Sequence, residues 1–140
     1  MITIIKTRKI MKSKLIMLLM VTLMIASCSK DEEEKQTTKA TITVKDASGD
    51  AVNGMSVYAY KENTWTTIGD DPLFADKTVS TDNSGNAVFI IDDFHMIFDI
   101  DTQENIHFSV HYNLGGVDKI KTTSITFSEE DQKSATLNLN

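Results

Sequence analysis

The stretch Thr41–Tyr60, TITVKDASGDAVNGMSVYAY, decides the fold. Its first five residues alternate apolar Ile42 and Val44 with polar Thr41, Thr43 and Lys45, the period-two pattern of a half-buried strand. Asp46 to Asp50 (DASGD) then turns the chain. Gly54 to Tyr60 puts Met55, Val57 and Ala59 on one face and Ser56, Tyr58 and Tyr60 on the other, and the first set is expected to face the core.

Working outward, Thr78 to Thr81, the turn Asp82-Asn83-Ser84-Gly85 and Ala87 to Ile91 (AVFII) read as a hairpin, because Asp, Asn and Gly tolerate the left-handed backbone of such turns. Between the two stretches lies a long connection, Lys61 to Lys77, holding the only tryptophan, Trp65, and the only proline, Pro72. Connections of this length usually carry structure or function of their own, and Thr64 to Ile68 is expected to form a short edge strand. Asp92 to Asp101 (DDFHMIFDID) fits a helix, with Phe94, Ile97 and Phe98 on one side, or a strand, with Phe94, Met96, Phe98 and Ile100 alternating; a short helix is the expectation. From Ile106 alternation returns: Ile106, Phe108, Val110 and Tyr112 face one way, His107, Ser109 and His111 the other. Gly115-Gly116 turns this strand into Val117 to Phe127, and Leu137 and Leu139 close a final strand. The pattern predicts an all-β fold, an antiparallel sandwich of about seven strands with at most one short helix.

These residues carry a resemblance. Asp46, Gly49, Val52, Gly54 and Val57, then Thr78, Thr81, Asp82, Gly85 and Phe89, match the strand, Asp-x-x-Gly turn, Val-x-Gly-x-x-Val and Thr-x-x-Thr-Asp-x-x-Gly pattern of carboxypeptidase regulatory-like domains. The chain therefore resembles the transthyretin-like (prealbumin-like) sandwiches over about half of the domain. The shared residues are structural, so the resemblance implies a fold and no catalytic set.

The amino-terminal part reads differently. Residues 1–14 hold Lys6, Arg8, Lys9, Lys12 and Lys14 and no acid, followed by the apolar run Leu15 to Ala26. Twelve residues in a helix reach about 18 Å, short of the ~30 Å hydrocarbon core, which predicts a cleaved signal segment over 1–27. MKSKLIMLLM from Met11 is already a complete leader, so Met11 is expected to be the start. Ile25-Ala26-Ser27-Cys28 resembles the lipobox of bacterial lipoproteins, which implies that Cys28, the only cysteine, is lipidated and becomes the first mature residue. Two or more acyl chains of the palmitate kind anchor stably where one does not. Residues 28–39 then form an acidic tether expected to be disordered. Its Lys30-Asp31-Glu32-Glu33-Glu34 run resembles the surface-export signal of Bacteroidetes-type lipoproteins; the alternative is a solvated spacer. The resemblance implies an outer-membrane, cell-surface protein with its sandwich at 40–140.

Charge narrows the function classes. Without residues 1–27 the chain keeps nine basic residues against twenty acids, which argues against nucleic acid as a partner. The serines lack a Gly-x-Ser-x-Gly setting, and no arginine follows Arg8 to complete the His/Arg set of transthyretin-like hydrolases, so no enzyme and no catalytic residue is expected. His107 and His111 sit four apart, about 13 Å along a strand, too far to share an ion, and His95 has no evident partner. Asp82 to Asn86 offers oxygen ligands at alternate positions, but Asp93 would stand where a calcium loop needs a bidentate Glu; a hairpin turn is the simpler reading, and no metal or cofactor is expected. What remains is an aromatic set, Tyr58, Tyr60 and Trp65, which either stacks on a glycan or protein partner or folds back as a lid over the core.

Overall fold

The computed structural model describes residues 34–94 and 102–140. Lys35–Asn140 forms a compact unit with its own core. Its strands are β1 (Lys39–Lys45), β2 (Ser56–Lys61), β3 (Lys77–Ser80), β4 (Asn86–Ile90), β5 (Glu104–Leu114), β6 (Val117–Phe127) and β7 (Gln132–Asn138). They make two sheets, β4-β1-β7 and β3-β2-β5-β6. The all-β sandwich read from the alternation is the fold observed.

The alternation decides the layers. Ala40, Ile42 and Val44 of β1, Val57 and Ala59 of β2, Ala87 and Phe89 of β4, and Ile106, Phe108 and Val110 of β5 are all fully buried between the sheets. Phe89 meets Phe108 edge-on across the layers, with centroids 5.2 Å apart and planes at 60°, a favoured aromatic arrangement. Phe127, Leu137 and Leu139 close the same core.

The motif residues of the turns hold its far end. The Asp46 carboxylate accepts from the Ser48 and Asp50 amides, and the Asp82 carboxylate from those of Ser84 and Asn86. The expected hairpin is corrected here: β3 pairs with β2 and β4 with β1, so the turn that Asp82 closes carries the chain from one sheet to the other. The buried Thr81 hydroxyl donates to the Val52 carbonyl at 2.6 Å and accepts from the Met55 amide at 2.9 Å. Gly85 has a φ of +76°, and a Cβ there would lie 2.6 Å from the Val44 carbonyl oxygen. This position requires glycine twice over.

Two further expectations are corrected. The sandwich is not wholly antiparallel: β1 pairs with β7 in parallel, Lys39 beside Gln132 through Lys45 beside Asn138. Thr64 to Ile68 is not an edge strand; Glu62–Thr67 forms a helix, α1, ended by Gly69 at a φ of +87°. Its Thr66 hydroxyl donates back to the Glu62 carbonyl, and six residues are too few to hold a helix without tertiary support. At Asp92, Ile91–Phe94 is a single 3-10 turn that buries Ile91 and Phe94, and the rest of the expected helix, residues 95–101, lies outside the described residues.

Lys39 opens β1, and Thr38, also expected in the disordered tether, belongs to the sandwich. It is buried, its hydroxyl accepts from the Glu130 amide, and its carbonyl accepts from the Ile91 amide. Among the described residues no helix is long and apolar enough to cross a membrane.

Candidate functional site

The outer face of the four-stranded sheet carries the chemistry. Alternation puts Tyr58 and Tyr60 of β2 beside Ser109 and His107 of β5, and His111 follows on the same face. The connection between β2 and β3 folds back over this row as a flap made of α1, a 3-10 turn at Pro72–Phe74 and the segments around them. The Asp71 carboxylate caps that turn by accepting from the Leu73 amide.

Two carboxylates pin the flap. Glu62, at the start of α1, places Oε2 2.7 Å from His107 Nε2 and accepts from the Asn105 side-chain amide at 2.7 Å. Asn105 first and His107 second hold the Glu62 carboxyl below its ordinary value. Asp70 reaches further in: its Oδ1 accepts from the fully buried Ser109 hydroxyl at 2.6 Å, and its Oδ2 lies 3.1 Å from His111 Nε2. That last pair is close but poorly aligned, and the buried Tyr60 hydroxyl beside it also lacks a well-aligned partner. Burial first, then Asp70, push the Tyr60 phenol far above its ordinary value, with Ser109 acting in the other direction. Tyr60 is therefore a neutral hydroxyl in a buried polar row.

The aromatic rings complete the closure. Trp65 lies flat on His107, centroids 4.5 Å apart and planes within 3°, and meets Tyr60 at 5.5 Å and 61°. Tyr58 stands edge-on to His111 at 5.5 Å. Of the three residues expected to offer a ligand surface, Tyr60 is fully buried, and Tyr58 and Trp65 are half-buried. Trp65 does fold back, but over the outer face of the sheet and not over the core between the layers.

His107 and His111 point to the same face, and each has its own carboxylate. Among the described residues no three His, Cys, Asp or Glu side chains gather as a metal site. Asp92 accepts from the Thr38 amide and Asp93 pairs with Lys77. Cys28 and His95 lie outside the described residues. Two ligand-sized hollows, of about 470 and 370 Å³, share Tyr112 and Asn113 near the β5–β6 turn, away from Trp65.

The sequence reading missed Glu62, Asp70, Asn105 and Ser109. Its available signal was the run of polar residues at alternate positions in β5, which needed acids from elsewhere, and the acids of the Lys61–Lys77 connection were the nearest supply. In that arrangement the Ser109 hydroxyl donates to Asp70 and the His107 imidazole lies against Glu62. A scan against protein-family models and a search of curated proteins both find no match to this chain.

Proposed function

We propose that this chain is a lipid-anchored lipoprotein of the outer membrane, displayed at the cell surface, whose transthyretin-like sandwich is a non-enzymatic accessory or protein-interaction module. The observation that carries the anchor is the apolar run ending in Ile25-Ala26-Ser27-Cys28, followed at once by the acidic tether. An interaction role is supported by the outer face of the sheet, where Glu62 against His107 and Asp70 against Ser109 hold the flap in place. The kinship with carboxypeptidase regulatory-like domains is supported by Asp46, Thr81, Asp82 and Gly85, which perform the turn chemistry their motif calls for.

Glycan binding or adhesion through the Trp65 flap is the second reading. It retains only the half-exposed surfaces of Tyr58 and Trp65, since Tyr60 is closed off. Feeding cells a clickable palmitate analogue tests the main reading. Label should appear on the protein, vanish in Cys28→Ala, and be accompanied by digestion of the sandwich by protease added to intact cells. An unlabelled wild-type protein contradicts the anchor, and a labelled but protease-resistant one contradicts surface display.

A further inference from the structure

Among the described residues, the buried side-chain atoms without an aligned hydrogen-bond partner all lie under the flap: the Tyr60 hydroxyl, Asp70 Oδ2 and His111 Nε2. Buried polar groups are almost always satisfied, and an unsatisfied cluster points to something that belongs there, water or an ion. The flap supplies Asp70, and the paired strands β2 and β5 supply Tyr60 and His111.

Their spacing separates the two. Asp70 Oδ2 lies 3.1 Å from His111 Nε2, yet the pair lacks the alignment of a hydrogen bond. Two ligands of one ion fit this description, because their lone pairs aim at a third point. With bonds of about 2.0–2.2 Å, a carboxylate oxygen and an imidazole nitrogen stand ~2.9 Å apart at a right angle and ~3.4 Å apart at the tetrahedral angle. The observed distance falls between.

The surroundings fit as well. The buried Ser109 hydroxyl donates to Asp70 Oδ1 at 2.6 Å, which orients the carboxylate and leaves Oδ2 for an ion, as the outer hydrogen bonds of metal ligands do. Tyr58 stands edge-on to the His111 ring. The His111 side chain is 31% exposed and borders the hollow of about 470 Å³, which gives an ion a way in and room for water in its remaining positions. His107 takes no part, since Glu62 and Asn105 hold its Nε2. No third His, Cys, Asp or Glu joins the pair among the described residues; the third polar group is the Tyr60 hydroxyl.

We propose that Asp70 Oδ2 and His111 Nε2 bind one divalent transition-metal ion of the zinc class, with the Tyr60 hydroxyl placed to hydrogen-bond a water in a further position, and that the ion clasps the flap to β5. An imidazole with a carboxylate suits zinc, nickel or copper, whereas calcium and magnesium take oxygen ligands. Two protein ligands make a weaker site than the three or four of zinc proteins, so micromolar binding is expected.

Histidine ring NMR of residues 35–140, freed of metal by a chelator and titrated with zinc chloride at neutral pH, tests this. The His111 resonances should shift saturably, ahead of those of His95 and His107, and the melting midpoint should rise, while calcium chloride does neither. His111→Gln should weaken zinc binding at least about tenfold. Asp70→Asn, which keeps an acceptor for Ser109, should do the same; should that variant fail to fold, the half-buried His111 carries the test. The absence of a saturable shift up to millimolar zinc overturns the proposal, as does saturation at His95 or His107 instead, or binding unchanged by His111→Gln.

Discussion

Trp65 and His107 lie face to face at 4.5 Å, with their ring planes within 3°. One belongs to a six-residue helix in a surface connection and the other to the longest ladder of the molecule. The stack fixes the flap on the sheet, and Glu62 binds the same imidazole at its edge.

Removing the indole should therefore cost stability. Trp65→Ala loses the stack on His107 and the edge contact with Tyr60, together about 1–2 kcal/mol beyond a surface substitution. The melting midpoint of residues 35–140 should fall by roughly 4–8 °C per kcal/mol. An unchanged midpoint would make Trp65 a free surface residue and restore it as a ligand platform.

Asp70 should matter more than its place in a loop suggests. Asp70→Ala leaves the fully buried Ser109 hydroxyl without its acceptor and removes the carboxylate beside Tyr60 and His111. A cost of about 1–3 kcal/mol is expected for such stranded groups. Urea unfolding of Asp70→Ala, Ser109→Ala and the double variant should show non-additivity, because both singles break one hydrogen bond.

The Glu62 contact carries a pH signature. Its carboxyl titrates lower in the folded chain than in the unfolded one, through Asn105 first and His107 second. A depressed folded-state value means a contribution that is present above the unfolded value of 4.5 and lost as pH falls through the folded one. Glu62→Gln should melt below wild type at pH 7, and the two curves should converge in acid. A gap independent of pH would show that the charge is immaterial.

Two glycines should separate strain from collision. Gly115→Ala meets only the positive φ of +62°, with open space around the added carbon, and should cost about 1–2 kcal/mol. Gly85→Ala adds a methyl 2.6 Å from the Val44 carbonyl to a similar φ. Chemical denaturation should place Gly85→Ala clearly below Gly115→Ala.

The strands were legible because their signal is local. Ile42 and Val44, or Phe108 and Val110, declare a face by alternation whatever lies opposite them. The parallel partnership of β1 with β7 was not legible, since alternation in Ala40–Val44 is the same for either direction of its neighbour. Helix α1 was hidden for a different reason. Thr64, Trp65, Thr66 and Thr67 favour strands by propensity, and what turns them is the docking of Trp65 on His107, forty-two residues away in sequence. The fate of Tyr60 was hidden in the same way: alternation placed it outward correctly, but only the flap decides whether outward means exposed.

The central claim is that the flap aromatic is part of the fold, held by β5. A double-mutant cycle between Trp65→Ala and His107→Ala, read by urea unfolding of residues 35–140, tests it most directly. A coupling of about 0.5–1.5 kcal/mol is predicted for the stacked pair. Additive effects, with no coupling between the two substitutions, would contradict it.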